Sequence, residues 1–468
     1  MKTLLEVAPT PEQLALFSRI KPGVELIRGA AGSGKTTTAL LKLKAAVGFY
    51  VNRMNRSATR RQIKVLVLTF NRTLRGYIAE LAGSQFTGGN AISLEVHTFS
   101  AWAKNLLNVN AIIDQGTVKA HLENFAVRSG MNPAFSAEEA SYVMGRFLPD
   151  DYADYINCRR VGRGAVPRME RAAREAILNN VVIPYCEYKA NAGLVDWNDL
   201  AVGLAIAQYE QYDVVVIDEA QDFSANEIRA VTGQLRDDHT ISIVLDAAQR
   251  IYPRSGFTWS EVGLHVRAEN SFKLLVNYRN TKQIAAFAHG ILDGIDPGDD
   301  GALPDLNSAT RNGDKPVIVR GGFRGQASWS INYIRNRVDL SKESVAFLHP
   351  AGGGWFDELR VMLQSAGLEY AEISRRAEWP EGDENIALST MHSAKGLEFD
   401  YVFIIGVSNQ NMPLDDADVD EDAHQRARRL LAMAVGRART RLVIGYKPSE
   451  ASAISNFFKP NLCEVVDV

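Results

Sequence analysis

The sequence predicts an α/β protein in which parallel sheets are flanked by helices. Short apolar runs recur along the chain, each bounded by turn residues, as in VELIRG, KVLVLTF, VVVIDEA and YVFIIGV. Helical patterns separate most of these runs, for example FDELRVMLQSAG at 356–367. Short buried strands that alternate with helices are typical of parallel sheets, because the crossover helices cover both faces.

Length and composition set the broad limits. The chain has 468 residues, of which 46% are hydrophobic and 23% charged, so we expect three or four domains. Its three cysteines, Cys158, Cys186 and Cys463, form no C-x-x-C pair, which argues against a disulfide framework or a zinc cluster. Neither a signal peptide nor an apolar run of membrane-spanning length is present in the sequence, and we expect a cytoplasmic protein.

The overall charge does not indicate a nucleic-acid binder. The formal net charge is −3, so any contact with a polyanion must come from local patches. Two arginine-rich stretches, 51–64 and 157–175, are candidates. Composition alone does not show whether such a stretch binds nucleic acid or is an ordinary solvated loop or helix face.

The order of the elements predicts the domains. Residues 1–103 form the first part of the first sheet domain and 201–269 its second part. Between them, 104–200 lack strand runs and read as a mainly α-helical insertion. Residues 270–468 form the second sheet domain, in which the Gly-, Asp- and Pro-rich stretch 293–315 is a loop.

A phosphate-binding loop follows the first predicted strand. RGAAGSGKTTT contains G-x-x-x-x-G-K-[ST] between a strand and a helix, the setting in which this motif binds phosphate. Backbone N–H groups converge on phosphate oxygens, Lys35 neutralises β/γ charge, and Thr36 is a candidate Mg²⁺ ligand. The residues predicted to surround the phosphates are Gly29, Ala30, Ala31, Gly32, Ser33, Gly34, Lys35, Thr36 and Thr37.

Two adjacent carboxylates end another buried strand, VVVIDEAQDF at 214–223. Asp218 is placed to hold Mg²⁺ directly or through water, and Glu219 to orient or deprotonate the attacking water. Together with the phosphate loop, these residues predict nucleoside triphosphate hydrolysis.

Nine segments resemble, in order, the motifs of one family. They are PTPEQLALF (9–17), the phosphate loop, LTFNRTL (68–74), HTFSAWA (97–103), DEAQDF (218–223), VLDAAQRIY (244–252), NYRNT (277–281), STMHSAKGLEFDYVF (389–403) and RRLLAMAVGRARTRL (428–442). This order is similar to that of the UvrD/Rep-like superfamily 1 DNA helicases, and the resemblance spans nearly the whole chain.

The resemblance implies two RecA-like lobes with ATP and Mg²⁺ in the cleft between them. It assigns Gln13 to the adenine edge, Tyr278 to stacking on that base, and Gln249 to sensing the γ-phosphate. Glu398 matches the ribose contact, and Gly396 belongs to the same motif. Arg279 and Arg437 match the second-lobe arginines that reach the γ-phosphate, for which a forked guanidinium is suited.

The resemblance also implies single-stranded DNA as the track, across the tops of both lobes, with 3′→5′ movement. Aromatic rings suit such a track because every base offers a face for stacking. The candidates for base or backbone contact are Thr69, Phe70, Asn71, Thr98, Phe99, Trp102, Tyr252, Phe257, Trp259, Thr390 and His392.

The chain departs from the family pattern in the second lobe. Where relatives carry a large insertion, only the short loop 374–385 separates AGLEYAEI from IALSTMHSAKG. We expect an ATP-dependent motor on single-stranded DNA, a compact helicase. The alternatives are a DNA-stimulated ATPase or translocase with weak unwinding that serves a partner such as a nuclease, and an ATP-gated nucleic-acid sensor.

Overall fold

Two parallel β-sheets organise the chain, and a helical segment is inserted into the first of them. The computed structural model describes residues 13–14, 16, 20–29, 33–56, 61–69, 75, 91–158, 169–245, 257–274, 276–277, 279–295, 309–374, 380, 382, 384–414 and 421–468. The strands are β1 (Gly23–Gly29), β2 (Ile63–Thr69), β3 (Ile92–Thr98), β4 (Tyr212–Ile217), β5 (Leu235–Leu245), β6 (Ser271–Leu274), β7 (Val317–Arg320), β8 (Val345–His349), β9 (Ala371–Glu372), β10 (Ile386–Thr390), β11 (Phe399–Val407), β12 (Ala438–Tyr446) and β13 (Glu464–Asp467).

Twelve α-helices connect these strands in the described part of the chain. They are α1 (Lys35–Asn55), α2 (Phe99–Leu107), α3 (Gln115–Arg128), α4 (Pro133–Arg146), α5 (Arg171–Ile177), α6 (Ile183–Ala192), α7 (Trp197–Ile206), α8 (Ala225–Thr232), α9 (Lys282–Leu292), α10 (Phe323–Arg337), α11 (Asp357–Ser365) and α12 (Glu421–Val435). A π-helical turn, Leu178–Val182, joins α5 to α6.

The first lobe is a six-stranded sheet with the order β3-β2-β4-β5-β1-β6. Successive side chains of β4 alternate between the two faces of this sheet. Val214 and Val216 pack against α1, whereas Val215 and Ile217 face the core that contains α2, α7 and α8. Both faces are buried, which explains why this strand reads as an uninterrupted apolar run.

The second lobe is a seven-stranded sheet with the order β13-β7-β12-β11-β8-β10-β9. Helices α9 and α12 cover one face, and α10 and α11 cover the other. Every recorded strand pairing in both sheets is parallel, for example β1 with β5 and β10 with β8. The prediction of an α/β protein with two parallel sheets flanked by helices is therefore confirmed.

The helical insertion has its own core, with Leu122, Val143, Tyr155 and Val181 fully buried. It is fixed to the first lobe through Asn226 of α8, whose side-chain amide donates to the carbonyl oxygens of Met144 and Phe147 at 2.8 and 2.9 Å. It also contacts the second lobe through an ion pair between Glu138 and Arg426, at 3.0 Å.

Three predicted boundaries need correction. The limits at 103 and 200 cut through α2 and α7, and residues of both helices pack in the first-lobe core, so the insertion lies between these helices. The limit at 270 is also wrong, because β6 (Ser271–Leu274) pairs in parallel with β1 of the first sheet. The second lobe therefore starts after Leu274.

Two further features concern the whole chain. In the described ranges no helix combines the length and the apolar character needed to span a membrane. Cys158, Cys186 and Cys463 are all free thiols.

Candidate nucleotide and nucleic-acid site

The predicted phosphate loop lies at the carboxyl end of β1. Gly29 ends that strand and Lys35 begins α1, with the Lys35 ammonium donating to the Gly29 carbonyl oxygen at 3.0 Å. Gly34 caps α1 in the left-handed conformation, with φ of 74°. A Cβ at this position would lie 2.6 Å from Nε2 of Gln13, so both backbone conformation and space require glycine.

The described residues of the loop are packed closely against one another. A Cβ added to Gly29 would lie 2.5 Å from Oγ of Ser33. Ser33 Oγ is buried and has no hydrogen-bond partner among the described residues, which suits a loop whose polar groups serve a ligand. Ala30, Ala31 and Gly32 and the side chain of Thr36 lie outside the described residues, and Thr37 stands in the first turn of α1.

Gln13 is held against this loop. It is 2% exposed, and its Nε2 donates to the Gly34 carbonyl oxygen at 3.2 Å. Lys42 of α1 fixes the adjoining chain, since its ammonium donates to the Leu16 carbonyl at 3.1 Å and pairs with Glu25 at 3.0 Å. The sequence prediction missed Lys42 and Glu25, although charged residues inside an apolar strand and helix are a usable signal for a buried pair.

The acidic pair follows β4 beside the phosphate loop. Asp218 is 2% exposed, and its Oδ1 accepts from the Glu219 backbone N–H at 3.0 Å. Glu219 adopts the left-handed conformation with φ of 56°, which is unusual for a residue with a side chain. Gln221 donates a hydrogen bond to the Glu219 carboxylate. This turn aims both carboxylates at the carboxyl edge of the sheet.

Lys395 of the second lobe reaches across the cleft to this turn. Its ammonium is buried, lies 3.3 Å from Oε2 of Glu219, and forms a second ion pair with Asp222. Burial opposes ionisation of Glu219, but the charges of Lys395, Lys35 and Arg437 hold its pKa below the usual value. One carboxylate is thus surrounded by a cation from the phosphate loop and two from the opposite lobe.

The predicted second-lobe arginines lie at the same cleft. Arg279 forms an ion pair with Glu398, and its buried Nε has no hydrogen-bond partner among the described residues. Arg437 is 2% exposed and donates through Nε to the Met433 carbonyl at 3.0 Å and through Nη1 to the Leu397 carbonyl at 3.3 Å. Gly396, with φ of 84°, forms the turn between Lys395 and Glu398.

Asn277 and Asn280 connect the segments that carry the two arginines. The Asn277 side chain accepts from the backbone N–H groups of Arg279 and Asn280, both at 3.0 Å. Asn280 in turn donates to the carbonyl oxygens of Gly436 and Ala438, on either side of Arg437. We missed this network, and likewise Lys395, because polar residues inside a motif do not show from sequence which of them bind a ligand and which position the others.

The donor set fits Mg²⁺. This ion is usually held by one or two carboxylates together with phosphate oxygens and water, not by a protein cage. In keeping with this, the described residues contain no group of three or more His, Cys, Asp or Glu side chains placed to bind a metal. Asp218 supplies the carboxylate, and the hydroxyl of Thr36 is the second expected ligand.

The predicted backbone contacts lie at strand ends in both lobes. Thr69 and Thr98 end neighbouring strands and are register partners, and Thr98 Oγ1 accepts from the Ala101 N–H to cap α2. In the second lobe, Thr390 ends β10, and its Oγ1 accepts from the Ser393 N–H at 3.0 Å. Burial and the neighbouring Lys395 charge lower the pKa of His392.

The predicted aromatic platforms that the structure describes all pack in or against the first-lobe core. Phe99 and Trp102 are 5% and 2% exposed and pack in the first-lobe core, so neither ring offers a face to a base. Their helix follows β3 directly and turns both rings inward, which a motif position alone does not reveal. Phe257, 9% exposed, meets the half-buried Trp259 edge-on at 5.5 Å. Four further predicted site residues, Phe70, Asn71, Tyr252 and Tyr278, and the predicted sensor Gln249 lie outside the described residues.

Fold and site together define a two-lobed phosphate-loop protein whose cleft is lined from both sides. The family described as an AAA domain matches residues 12–254, more than half of the chain, and the UvrD-like helicase C-terminal domain matches 353–449. The chain belongs to the UvrD/Rep-like superfamily 1 DNA helicase family, as its ordered motifs predict.

Individual relatives match with different coverage. ATP-dependent DNA helicase UvrD2 of Mycobacterium tuberculosis is 35% identical over 112 residues, which is 22% of this chain and 16% of that protein. ATP-dependent DNA helicase PcrA of Leuconostoc citreum is 42% identical over 74 residues, 16% of this chain and 10% of that protein. A probable DNA helicase of Mycoplasma pneumoniae is 22% identical over 430 residues, covering 84% of this chain and 74% of its own length.

A comparison with solved structures includes the C-terminal domain of a possible DNA helicase from Lactobacillus plantarum. It has a TM-score of 0.31 and 20% identity, and it covers 41% of this chain and 99% of that chain.

Proposed function

We propose that this chain is an ATP-dependent motor that moves along single-stranded DNA, and that it is a 3′→5′ DNA helicase of the UvrD/Rep type. The observation that carries the proposal is the environment of Glu219, which lies in the field of Lys35 from its own lobe and of Lys395 and Arg437 from the other. A site completed only when two lobes meet can couple a chemical step to their relative movement.

Each group in the cleft has a chemical role in this proposal. Lys35 and the loop N–H groups bind the phosphates, and Glu219 orients and deprotonates the attacking water. Arg279 and Arg437 stabilise charge on the transferring phosphoryl group from the second lobe. Asp218 and Thr36 would hold Mg²⁺, which when bound would neutralise further phosphate charge.

The same contacts link hydrolysis to movement. Binding of ATP adds a γ-phosphate between Lys35 and the two arginines, which draws the lobes together. Loss of that phosphate after hydrolysis removes the attraction, and the lobes separate. Alternate closing and opening shifts the grip on the strand from one lobe to the other.

The polymer track is assigned to the carboxyl strand ends. Thr69 and Thr98 in the first lobe and Thr390 and His392 in the second lie at these ends, and Trp259 adds a partly exposed ring. Relatives with named activity are DNA helicases, which supports DNA as the polymer.

The decisive experiment compares ATP hydrolysis with single-stranded DNA, duplex DNA, RNA and no polymer. Single-stranded DNA should stimulate hydrolysis most, and Lys35→Ala should abolish it because the phosphates lose their cation. Lys44→Ala, an exposed lysine on the same helix, is the matched control and should hydrolyse ATP normally. Equal rates with and without polymer would contradict the motor.

Direction and movement need a second assay. Displacement of streptavidin from the 5′ end of a biotinylated oligonucleotide, but not from the 3′ end, is expected for 3′→5′ translocation. Hydrolysis without displacement from either end would favour an ATP-gated sensor instead.

A translocase with weak unwinding is the second candidate. Residues 373–385 alone connect β9 to β10, which are paired neighbours, so no separate domain lies between them. Strand displacement from a partial duplex, measured beside streptavidin displacement, separates the two functions. Movement without duplex separation would favour the translocase, which would then rely on a partner such as a nuclease.

A further inference from the structure

Two stacked rings lie at the carboxyl end of β8 in the second lobe. His349 is the last residue of this strand, and Trp355 follows in a 3₁₀ turn, Gly353–Phe356. Their ring centroids are 5.0 Å apart with planes inclined by 24°. His349 is 2% exposed, whereas Trp355 is 40% exposed. With one face on the imidazole, the indole presents its other face to solvent.

The imidazole is a rigid and uncharged support. Burial lowers the pKa of His349 to about 4, so the ring is neutral at physiological pH. Its Nδ1 accepts from the backbone N–H groups of Ala351 and Gly352 at 3.1 and 3.0 Å. The Asn411 side-chain amide lies 3.2 Å from Nε2. These contacts fix the plane on which the indole lies.

The turn that carries Trp355 is built against the predicted DNA track. Gly352 has φ of 65°, and a Cβ there would lie 2.6 Å from Cγ2 of Thr390, so only glycine allows this approach. Arg360 donates to the Gly353 carbonyl at 3.3 Å and holds the turn from the other side. His349 and Thr390 are register partners on neighbouring strands, so the ring pair adjoins a predicted backbone contact.

The neighbouring ring of Phe356 has a structural role and differs from Trp355 in its burial. Phe356 is 5% exposed, packs edge-on against His349 at 5.9 Å, and belongs to the second-lobe core. Trp355 belongs to none of the core clusters of the described residues, and 40% of its surface stays exposed. A large aromatic held rigidly at a strand end with one face open suits stacking by a base.

We propose that Trp355, supported by His349, is a base-stacking platform for single-stranded DNA on the second lobe. The inference rests on the proposed function, because it places the residue on the same polymer track. It gives the second lobe an aromatic contact of its own, in addition to the candidate Trp259 of the first. Each lobe can then hold a base while the other moves.

The test replaces the indole and measures affinity for an oligothymidylate by fluorescence anisotropy. Trp355→Ala should weaken binding about 5- to 150-fold, which corresponds to stacking of about 1–3 kcal/mol. Trp355→Phe should retain most of the affinity, because a phenyl ring still stacks. Tyr209→Ala is the matched control. This 52% exposed ring precedes β4, at the amino ends of the first-lobe strands, and its loss should leave the affinity for the oligothymidylate unchanged.

An abasic oligonucleotide separates stacking from backbone contact. The wild-type protein should bind it more weakly than the oligothymidylate, and Trp355→Ala should show a smaller difference between the two. Trp355→Phe keeps a ring on His349 and should unfold at about the wild-type temperature, so it is the folded reference for the affinity that Trp355→Ala loses.

The outcomes distinguish the two proposals. If the wild type binds DNA and is stimulated by it while Trp355→Ala binds equally well, the platform is overturned and the motor stands. If the wild type neither binds single strands nor responds to them, the proposed function fails and the platform falls with it.

Discussion

Glu219 has three cationic neighbours from distant parts of the sequence, and they determine how acid affects the site. Burial raises the pKa of this carboxyl, but Lys395, Lys35 and Arg437 together lower it below its usual value of 4.5. A carboxyl whose pKa is depressed by folding stabilises the fold above its unfolded pKa and loses that contribution as pH falls through its folded pKa. The ionised form, which the proposed chemistry needs, therefore persists into acid.

Lys395→Met removes the nearest of these charges. We expect the acid limb of the pH–rate profile for ATP hydrolysis to move to higher pH, because burial then acts on Glu219 with less opposition. Lys395→Arg keeps the charge and should leave the limb close to that of the wild type. A profile that is unchanged in Lys395→Met would remove Glu219 as the group that titrates.

Arg437 tests the contribution of the second lobe to chemistry. Arg437→Ala should lose about 10³-fold or more in turnover while ATP binding is largely retained, as for loss of an arginine finger. Arg439→Ala is the control, since this side chain lies two residues further along and pairs with Asp400 at 3.4 Å. A defect of only a few-fold in Arg437→Ala would count against a role in the transition state.

Single residues also show the limit of sequence-based prediction. The phosphate loop, Asp218 and Glu219 could be predicted because a motif and a strand end specify their chemistry. Lys395 could not, because its role depends on contact with Glu219 and Asp222, which are far away in the chain. The inward rotation of Trp102 is likewise a consequence of helix packing, which a motif does not encode.

At the scale of elements, hydrogen bonds join Asn277 and Asn280 to the start of β12. Asn280 donates to the carbonyl oxygens of Gly436 and Ala438 and is 2% exposed. This pairing fixes the segments that carry Arg279 and Arg437 relative to each other.

Asn280→Ala should separate these segments. Two buried carbonyl oxygens lose their donor, and we expect a loss of about 1–3 kcal/mol in the free energy of unfolding, together with slower ATP hydrolysis. Asn336→Ala is the comparison, because this exposed side chain bonds only to its own helix. Unchanged stability and turnover in the Asn280 variant would show that the network does not position the arginines.

Strands were predictable to the extent that they are buried. The central strands, such as β4 and β11, read directly as apolar runs. Strand β3, ISLEVHT, shows no uninterrupted apolar run, because it is an edge strand whose residues are mostly half-buried. Strands β6 and β13 have four residues each, and the predicted start of the second lobe at 270 does not take β6 into account.

At the scale of the molecule, a weakly acidic chain must bind a polyanion through local contacts. Affinity for single-stranded DNA should therefore fall with salt, with a log–log slope of about −0.7 for each phosphate neutralised. Binding measured over a series of salt concentrations gives the slope, and a titration with a neutral-backbone analogue is the control. A flat response would contradict a track built on backbone contacts.

The helical insertion is attached more firmly to the first lobe than to the second. Its bonds to Asn226 are buried, whereas the pair between Glu138 and Arg426 is 34% and 20% exposed and worth at most about 1 kcal/mol. In the proposed motor, the exposed pair would break first when the lobes part, and the insertion would stay with α8. A protein bound to these helices would then move with the first lobe alone.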